Sequence, residues 1–228
     1  RNFQNMWNGT YGINVSLLSA QSVPGKSVRA YYEEASFGKF VLNATVTTWL
    51  PYNLTRAEFL SEGRPLEIPY EWAQEYAYEN YNLDPDYFDY HYFIWSGRPT
   101  FNTVFWPHVP AIGSRVGFGA ELSQGSNFLD DRGTSCHEFG HMLGLTDYYD
   151  TNYDTDGEYW INCGPWELMD GGGGNDPAHI SLYSKMLLGW IDSDMVYNLK
   201  PGEIANIKIL PLEAKIDGEI EDGYYYGA

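Results

Sequence analysis

His137-Glu138-Phe139-Gly140-His141-Met142-Leu143-Gly144-Leu145-Thr146-Asp147 is the stretch on which the fold and chemistry of this 228-residue chain turn. Ser135 to Leu143 reads as a helix, with Thr134 or Asp131 as cap and Gly144 as stop. Four residues of helix are about 400° of rotation, so His137 and His141 lie about 40° apart and about 6 Å along the axis. Both imidazoles can converge on one cation at about 2.0–2.1 Å. Glu138 falls about 100° round from His137, beside the cation rather than on it. There its carboxylate can hold a water and take its proton. A catalytic zinc site needs a third protein ligand and an open fourth position. If the helix ran on, Asp147 would sit about 240° round from His141. Gly144 can take a left-handed conformation, end the helix and let Asp147 turn back to the metal. A carboxylate third ligand leaves less positive charge than three imidazoles, so water there is less acidified and Glu138 has to act as a real general base.

Composition sets the frame. Acidic residues outnumber basic ones 31 to 13, a net charge of −18, and 43% of residues are hydrophobic. That hydrophobic content fits a folded domain rather than a disordered chain. The negative charge repels nucleic acid and anionic membranes. No run of 18 apolar residues is present, so no membrane-spanning helix is expected. Abundant Tyr and Trp, few Lys and the acidic balance agree with a secreted, extracellular protein. Four Asn-x-Ser/Thr triplets at Asn8, Asn14, Asn43 and Asn53 would be glycan acceptors only in a secreted eukaryotic protein, and such triplets often arise by chance. No signal-peptide core opens the chain, so an exported form has lost its leader. Cys136 and Cys163 could form one bridge or remain two buried thiols.

Along the chain, helices are expected over Ser27–Phe37, Leu66–Tyr81 and Ala178–Leu188, the last capped by Asp176-Pro177. Within Leu66–Tyr81, Trp72, Tyr76 and Glu79 outline a semi-apolar face. Strands are expected over Lys39–Leu50, Phe88–Trp95, Phe101–Trp106, Arg115–Leu122, Met195–Leu199 and Ala205–Leu210, with Tyr224-Tyr225-Tyr226 as a strand cut short. This predicts an α+β fold: a twisted, mostly N-terminal β-sheet, a central zinc-binding helix and a loop-rich C-terminal lobe. A single catalytic domain spans 1–228, with lobes of about 1–144 and 145–228, and the natural chain is expected to continue past its last residue.

His137 to Asp150 resembles the zinc signature of the immune inhibitor A family of secreted, metzincin-like metallopeptidases. Gly164-Pro165-Trp166-Glu167-Leu168-Met169-Asp170 resembles that family's Met-turn, and Ser184-Lys185-Met186-Leu187-Leu188-Gly189-Trp190 a further family segment. Tyr31 to Gly38 and Trp106-Pro107-His108 also look like family segments. The resemblance implies a zinc-dependent endopeptidase acting on proteins, often with bound calcium. It implies Met169 as a hydrophobic floor under the metal. Where the family often has a cation loop before its central strand, Asn82 to Asp89 carries Tyr87 in place of a turn-favouring Gly, which argues against calcium there.

The residues beyond the helix leave several readings open. Asp150, Asn152, Asp154, Asp156 and Glu158 form a dense oxygen cluster that starts like an EF-hand loop, but the twelfth position is Cys163, so any calcium site is of another kind. His179 and Tyr148 are candidate transition-state stabilisers, with Tyr159 and Tyr183 behind them. His91 and His108 read as packing or hydrogen-bonding groups. Arg115 to Glu121 could be an edge strand that pairs with an extended substrate, with Gly117 and Gly119 permitting close approach. A thermolysin-like alternative takes Glu158 or Glu167 as third ligand, with Asp147 behind it. A reading of another class is a non-catalytic adhesion or substrate-binding module with a structural zinc. The leading expectation is a secreted, monomeric zinc endopeptidase with protein or peptide substrates.

Overall fold

Ser27 starts the first described helix, α1 (Val28–Ala35), by accepting the Ala30 N–H on its side chain at 2.9 Å. The computed structural model describes residues 27–95, 104–120, 132–152, 155, 157, 163–173, 177–213 and 224–226. α1 buries Val28, Tyr32 and Ala35, spaced at i, i+4 and i+7. It ends in a turn in which Phe37 and Gly38 both take positive φ.

Helix α2 (Arg56–Ser61) is one that sequence periodicity did not reveal. A capping box makes it: Thr55 accepts from Glu58 N–H, and the Glu58 carboxylate accepts from Thr55 N–H at 2.8 Å. Phe59 anchors it. Helix α3 (Glu67–Tyr81) matches the expected Leu66–Tyr81 span and stops where Asn82 turns left-handed. Its buried residues are Pro69 and Ala73, while Glu79 is exposed, so the buried stripe is not the Trp72–Tyr76–Glu79 face.

Strands β1 (His91–Trp95) and β2 (Val116–Ala120) pair in parallel, and β3 (Lys208–Leu210) pairs in parallel with β4 (Tyr224–Tyr226). The result is mixed α and β, as an α+β fold requires. Among the described residues the sheet is two short pairs, not one broad N-terminal sheet. Lys39–Leu50 shows why. Phe40, Leu42, Ala44 and Val46 do alternate onto the core, yet no strand forms there among the described residues. Phe101 to Thr103 lie outside the described residues, and 104–106 are not strand. Met195–Leu199 is likewise not a strand. A 3-10 turn covers Ser193–Met195, and Val196 makes a single bridge to Tyr226.

Helix α4 (Arg132–Met142) carries the histidine pair and packs on α1 and β2. It starts earlier than expected, so Thr134 lies inside it, and Asp131 lies outside the described residues. The last helix, α5 (Leu182–Leu187), is shorter than the expected Ala178–Leu188. Its cap is Ser181, which accepts from Ser184 N–H, and residues 177–181 are not helical. Asp176 lies outside the described residues. The site-bearing core joins Val28, Tyr32, Cys136, Phe139, Met142, Leu168, Met169, Ile180 and Trp190. It therefore draws on chain from both sides of Gly144. The Tyr32 ring meets Phe139 edge-on at 5.3 Å, and its hydroxyl donates to the Cys136 carbonyl at 2.5 Å. Among the described residues no helix is long and apolar enough to cross a membrane.

Cys136 is buried, Cys163 is exposed, and both thiols are free. Neither a bridge nor a pair of buried thiols is formed. The Asn8 and Asn14 triplets lie outside the described residues, whereas Asn43 and Asn53 are exposed.

The close fit of α4 to the chain beneath it gives a direct test. A Cβ on Gly140 would lie 2.6 Å from the Met169 sulfur and 3.3 Å from the Tyr32 hydroxyl. Gly140→Ala is expected to cost about 1–3 kcal/mol through overpacking, read as a lower denaturant midpoint with an unchanged slope.

Candidate metal centre

α4 ends as the spacing requires. Gly144 has φ +104, its N–H bonds the His141 carbonyl at 3.0 Å, and Leu145 N–H reaches back to the Gly140 carbonyl at 3.0 Å. The chain then doubles back and brings Asp147 to the histidines. Asp147 Oδ1 lies 3.0 Å from His137 Nε2 and 3.2 Å from His141 Nε2. Among the described residues His137, His141 and Asp147 form the one group of three or more potential ligands that converges closely enough to hold a metal ion.

The other ring nitrogens decide what these atoms can do. His137 Nδ1–H donates to the Leu168 carbonyl at 2.9 Å, and His141 Nδ1–H donates to the Leu145 carbonyl at 2.8 Å. In the neutral rings both Nε2 atoms then carry lone pairs. Asp147 Oδ1 is buried and accepts no hydrogen bond. Three acceptors therefore face one point, which is costly unless a positive charge lies between them. Two atoms each about 2.0–2.1 Å from one tetrahedral zinc stand about 3.3–3.4 Å apart, near the separations seen here. The donor set fits zinc. Without a cation, a proton on either ring plays the same part. Burial works to raise the Asp147 carboxyl, but the two histidines outweigh it and hold Asp147 well below the usual carboxylate range. Burial likewise works to lower His141, and Asp147, the Leu145 carbonyl and Glu138 raise it overall.

Glu138 is buried beside this group. Burial pushes its carboxyl up to about 7; His137 and His141 pull it down and Asp147 pushes it up. A cation held by the three ligands would draw it down further. Beneath the helix, Met169 is fully buried and its sulfur abuts Gly140, between the two histidines in sequence.

Other expected site residues fall elsewhere. Tyr148 does not offer a free hydroxyl: its phenol hydrogen-bonds Ser184 Oγ at 2.9 Å. Its neighbour Tyr149 is the aromatic that sequence reasoning missed. The Tyr149 ring stacks on His137 at 6.2 Å and 19°, and its side chain is 42% exposed. Burial and the Asp147 carboxylate hold its phenol up. Its only sequence signal was its place two residues after Asp147. His179 lies beside Tyr31 at 6.4 Å, with Lys185 and Glu213 as its charged neighbours. Glu167, the alternative third ligand, is spent on Ser181 and Ser184 and does not join the ligand group. Glu158, Asp154, Asp156 and Tyr159 lie outside the described residues. Asp150 Oδ1 accepts the Asn152 N–H at 3.0 Å in a local turn. The Asn82–Asp89 stretch holds a 3-10 turn over Pro85–Tyr87, capped by Asp84.

β2 is not an open edge at its centre. β1 pairs along one side, and Phe118 exchanges two backbone hydrogen bonds with His108 on the other, at 2.9 and 3.0 Å. Gly117 and Gly119 make room for the Tyr92 ring, and Gly117 also for Met142, rather than for a substrate backbone. The His108 ring stacks on Phe118, in keeping with the packing role expected of it.

A helix-borne histidine pair with a carboxylate returned past a glycine is the donor set of a metallopeptidase. The family model for the immune inhibitor A peptidase M6, catalytic domain, matches residues 129–191, the part of the chain that holds the histidine helix, Asp147 and Met169. No curated protein matches the chain.

Two measurements bear on these placements. Asp147→Ala is expected to weaken zinc binding by more than the roughly 10–100-fold typical of losing an outer partner, read by competition with a chelator. Burial, reinforced by Lys185, lowers His179 to about 4, against weaker opposing effects of Glu213 and the Leu212 carbonyl. Between about pH 6.5 and 4 the unfolded chain takes up a proton that the folded chain refuses, so stability falls as pH falls. The loss is on the order of 3 kcal/mol, and His179→Gln should flatten the fall in the urea midpoint over that range.

Proposed function

We propose that this protein is a secreted zinc-dependent endopeptidase that hydrolyses peptide bonds in proteins. The observation that carries the reading is the convergence of His137 Nε2, His141 Nε2 and Asp147 Oδ1 beside the buried carboxylate of Glu138. His137, His141 and Asp147 would hold the ion. When bound, zinc would supply Lewis-acid polarisation of the scissile carbonyl and make water at its open position more acidic. Glu138 takes the proton of the attacking water on its carboxylate and returns it to the nitrogen of the leaving amine. Its burial supports this role, because an excluded carboxyl holds a proton more readily than an exposed one. The carbonyls of Leu168 and Leu145 keep both imidazoles turned so that Nε2, not Nδ1, faces the site.

An adhesion or substrate-binding module with a structural zinc fits less well. Structural sites are closed by a fourth protein ligand, and among the described residues no fourth His, Cys, Asp or Glu joins this group. Secretion is supported by the acidic, Tyr- and Trp-rich composition. Of the five candidate calcium ligands, Asp154, Asp156 and Glu158 lie outside the described residues.

The test is cleavage of a denatured protein by the zinc-loaded chain, with and without chelator. Glu138→Gln is expected to retain metal stoichiometry and to lose roughly 10²–10⁴-fold in turnover. Full turnover with metal retained would remove Glu138 from the mechanism, and chelator-resistant cleavage would remove the metal.

A further inference from the structure

The turn Glu167-Leu168-Met169 touches the metal centre at three points. Leu168 O accepts from His137 Nδ1–H at 2.9 Å. Met169 O accepts the backbone N–H of Tyr148, the residue after Asp147, at 2.8 Å. The Met169 side chain lies against Gly140 between the two histidines. One short segment therefore sets the ring of one ligand, the backbone beside another and the floor of the helix that bears two.

Something has to hold that segment, and the Glu167 side chain does so. It is 1% exposed. One carboxylate oxygen accepts the Ser181 N–H; the other accepts Ser184 Oγ–H at 3.3 Å. Met169 N–H also bonds the carboxylate. Having given its proton to Glu167, Ser184 Oγ accepts the Tyr148 hydroxyl at 2.9 Å, so a hydrogen-bonded chain runs Tyr148–Ser184–Glu167. The loop of the third ligand is thus tied to Glu167 twice, through backbone and through side chain. An anion here is well matched: it accepts from several donors at once, as a neutral amide could not without turning an NH₂ toward one of them.

We infer that Glu167 is a positioning residue for the metal centre, setting His137 and Asp147 through the Leu168 and Met169 carbonyls and the Ser184–Tyr148 link. This rests on the zinc reading above. The test uses the full chain with zinc alone and with cobalt(II) alone, and needs no substrate. Zinc affinity is measured by chelator competition, and ligand geometry by the visible bands of the cobalt form. Glu167→Gln, folded by circular dichroism, should bind zinc roughly 10–100-fold more weakly and shift the cobalt bands. Ser184→Ala and Tyr148→Phe should move both readouts in the same direction by less. A residue that merely stabilises the fold would lower the melting temperature and leave both readouts alone. A folded Glu167→Gln with wild-type affinity and spectrum overturns the inference. If Glu167→Gln does not fold, wild-type values in both Ser184→Ala and Tyr148→Phe overturn it. A wild-type chain that takes up no zinc defeats the metal reading itself, whereas variants that match a zinc-binding wild type defeat this inference alone.

Discussion

Two imidazoles locked by backbone carbonyls and one carboxylate without a hydrogen-bond donor on its inner oxygen share a single small volume. Lone pairs in that arrangement repel one another, and burial removes the water that would relieve them. The chain therefore carries a standing demand for positive charge at this point. The fold meets the cost of gathering the three groups with the apolar contacts of α4 against Tyr32, Phe40, Met169 and Trp190. The rest of the described structure is arranged around that demand. Gly144 lets the chain reverse, Gly113 N–H also bonds the His141 carbonyl at the end of the helix, and Gly140 lets the floor rise against it.

The polar groups around the site are ordered in layers. His137, His141, Glu138 and Asp147 form the inner one. Behind them, Leu145, Leu168 and Met169 offer carbonyls, and behind those stand Glu167, Ser181 and Ser184. Inside a protein each such bond is stronger than in water, and each unmade bond is more costly. A network of this kind resists small displacements. That matters where a hydrolytic centre needs its ligands held to a fraction of an ångström. Tyr149, stacked on His137 and 42% exposed, borders the layered interior on its open side.

Much of the site was legible because it depends on local geometry. The pairing of His137 with His141 follows from the pitch of one helix, and the return of Asp147 follows from one left-handed glycine three residues before it. Both are short-range consequences of backbone sterics. The helices α1 and α3 were legible for the same reason, from spacing and end residues. Helix α2 was also encoded locally, in Thr55 and Glu58, but too few residues follow that capping box for periodicity to mark it. The strands were less legible. Lys39–Leu50 has the alternation of a strand and places alternate side chains on the core, but a ladder needs a partner, and no local pattern names one.

The sequence by itself determined the convergence of His137, His141 and Asp147 and the place of Glu138 beside them, because residues within one helix and one turn have few ways to sit. Only the tertiary structure decided what stands behind them. Nothing in the spacing of Glu167 from His137 told whether its carboxylate would reach a metal or two serines. Tyr148 and Tyr149 are adjacent and chemically alike, yet one hydroxyl is bound to Ser184 and the other ring lies over His137. Those assignments depend on which distant segments meet, and that is set by the packing of Leu168, Met169, Ile180 and Trp190 against the helix, not by any periodicity along the chain.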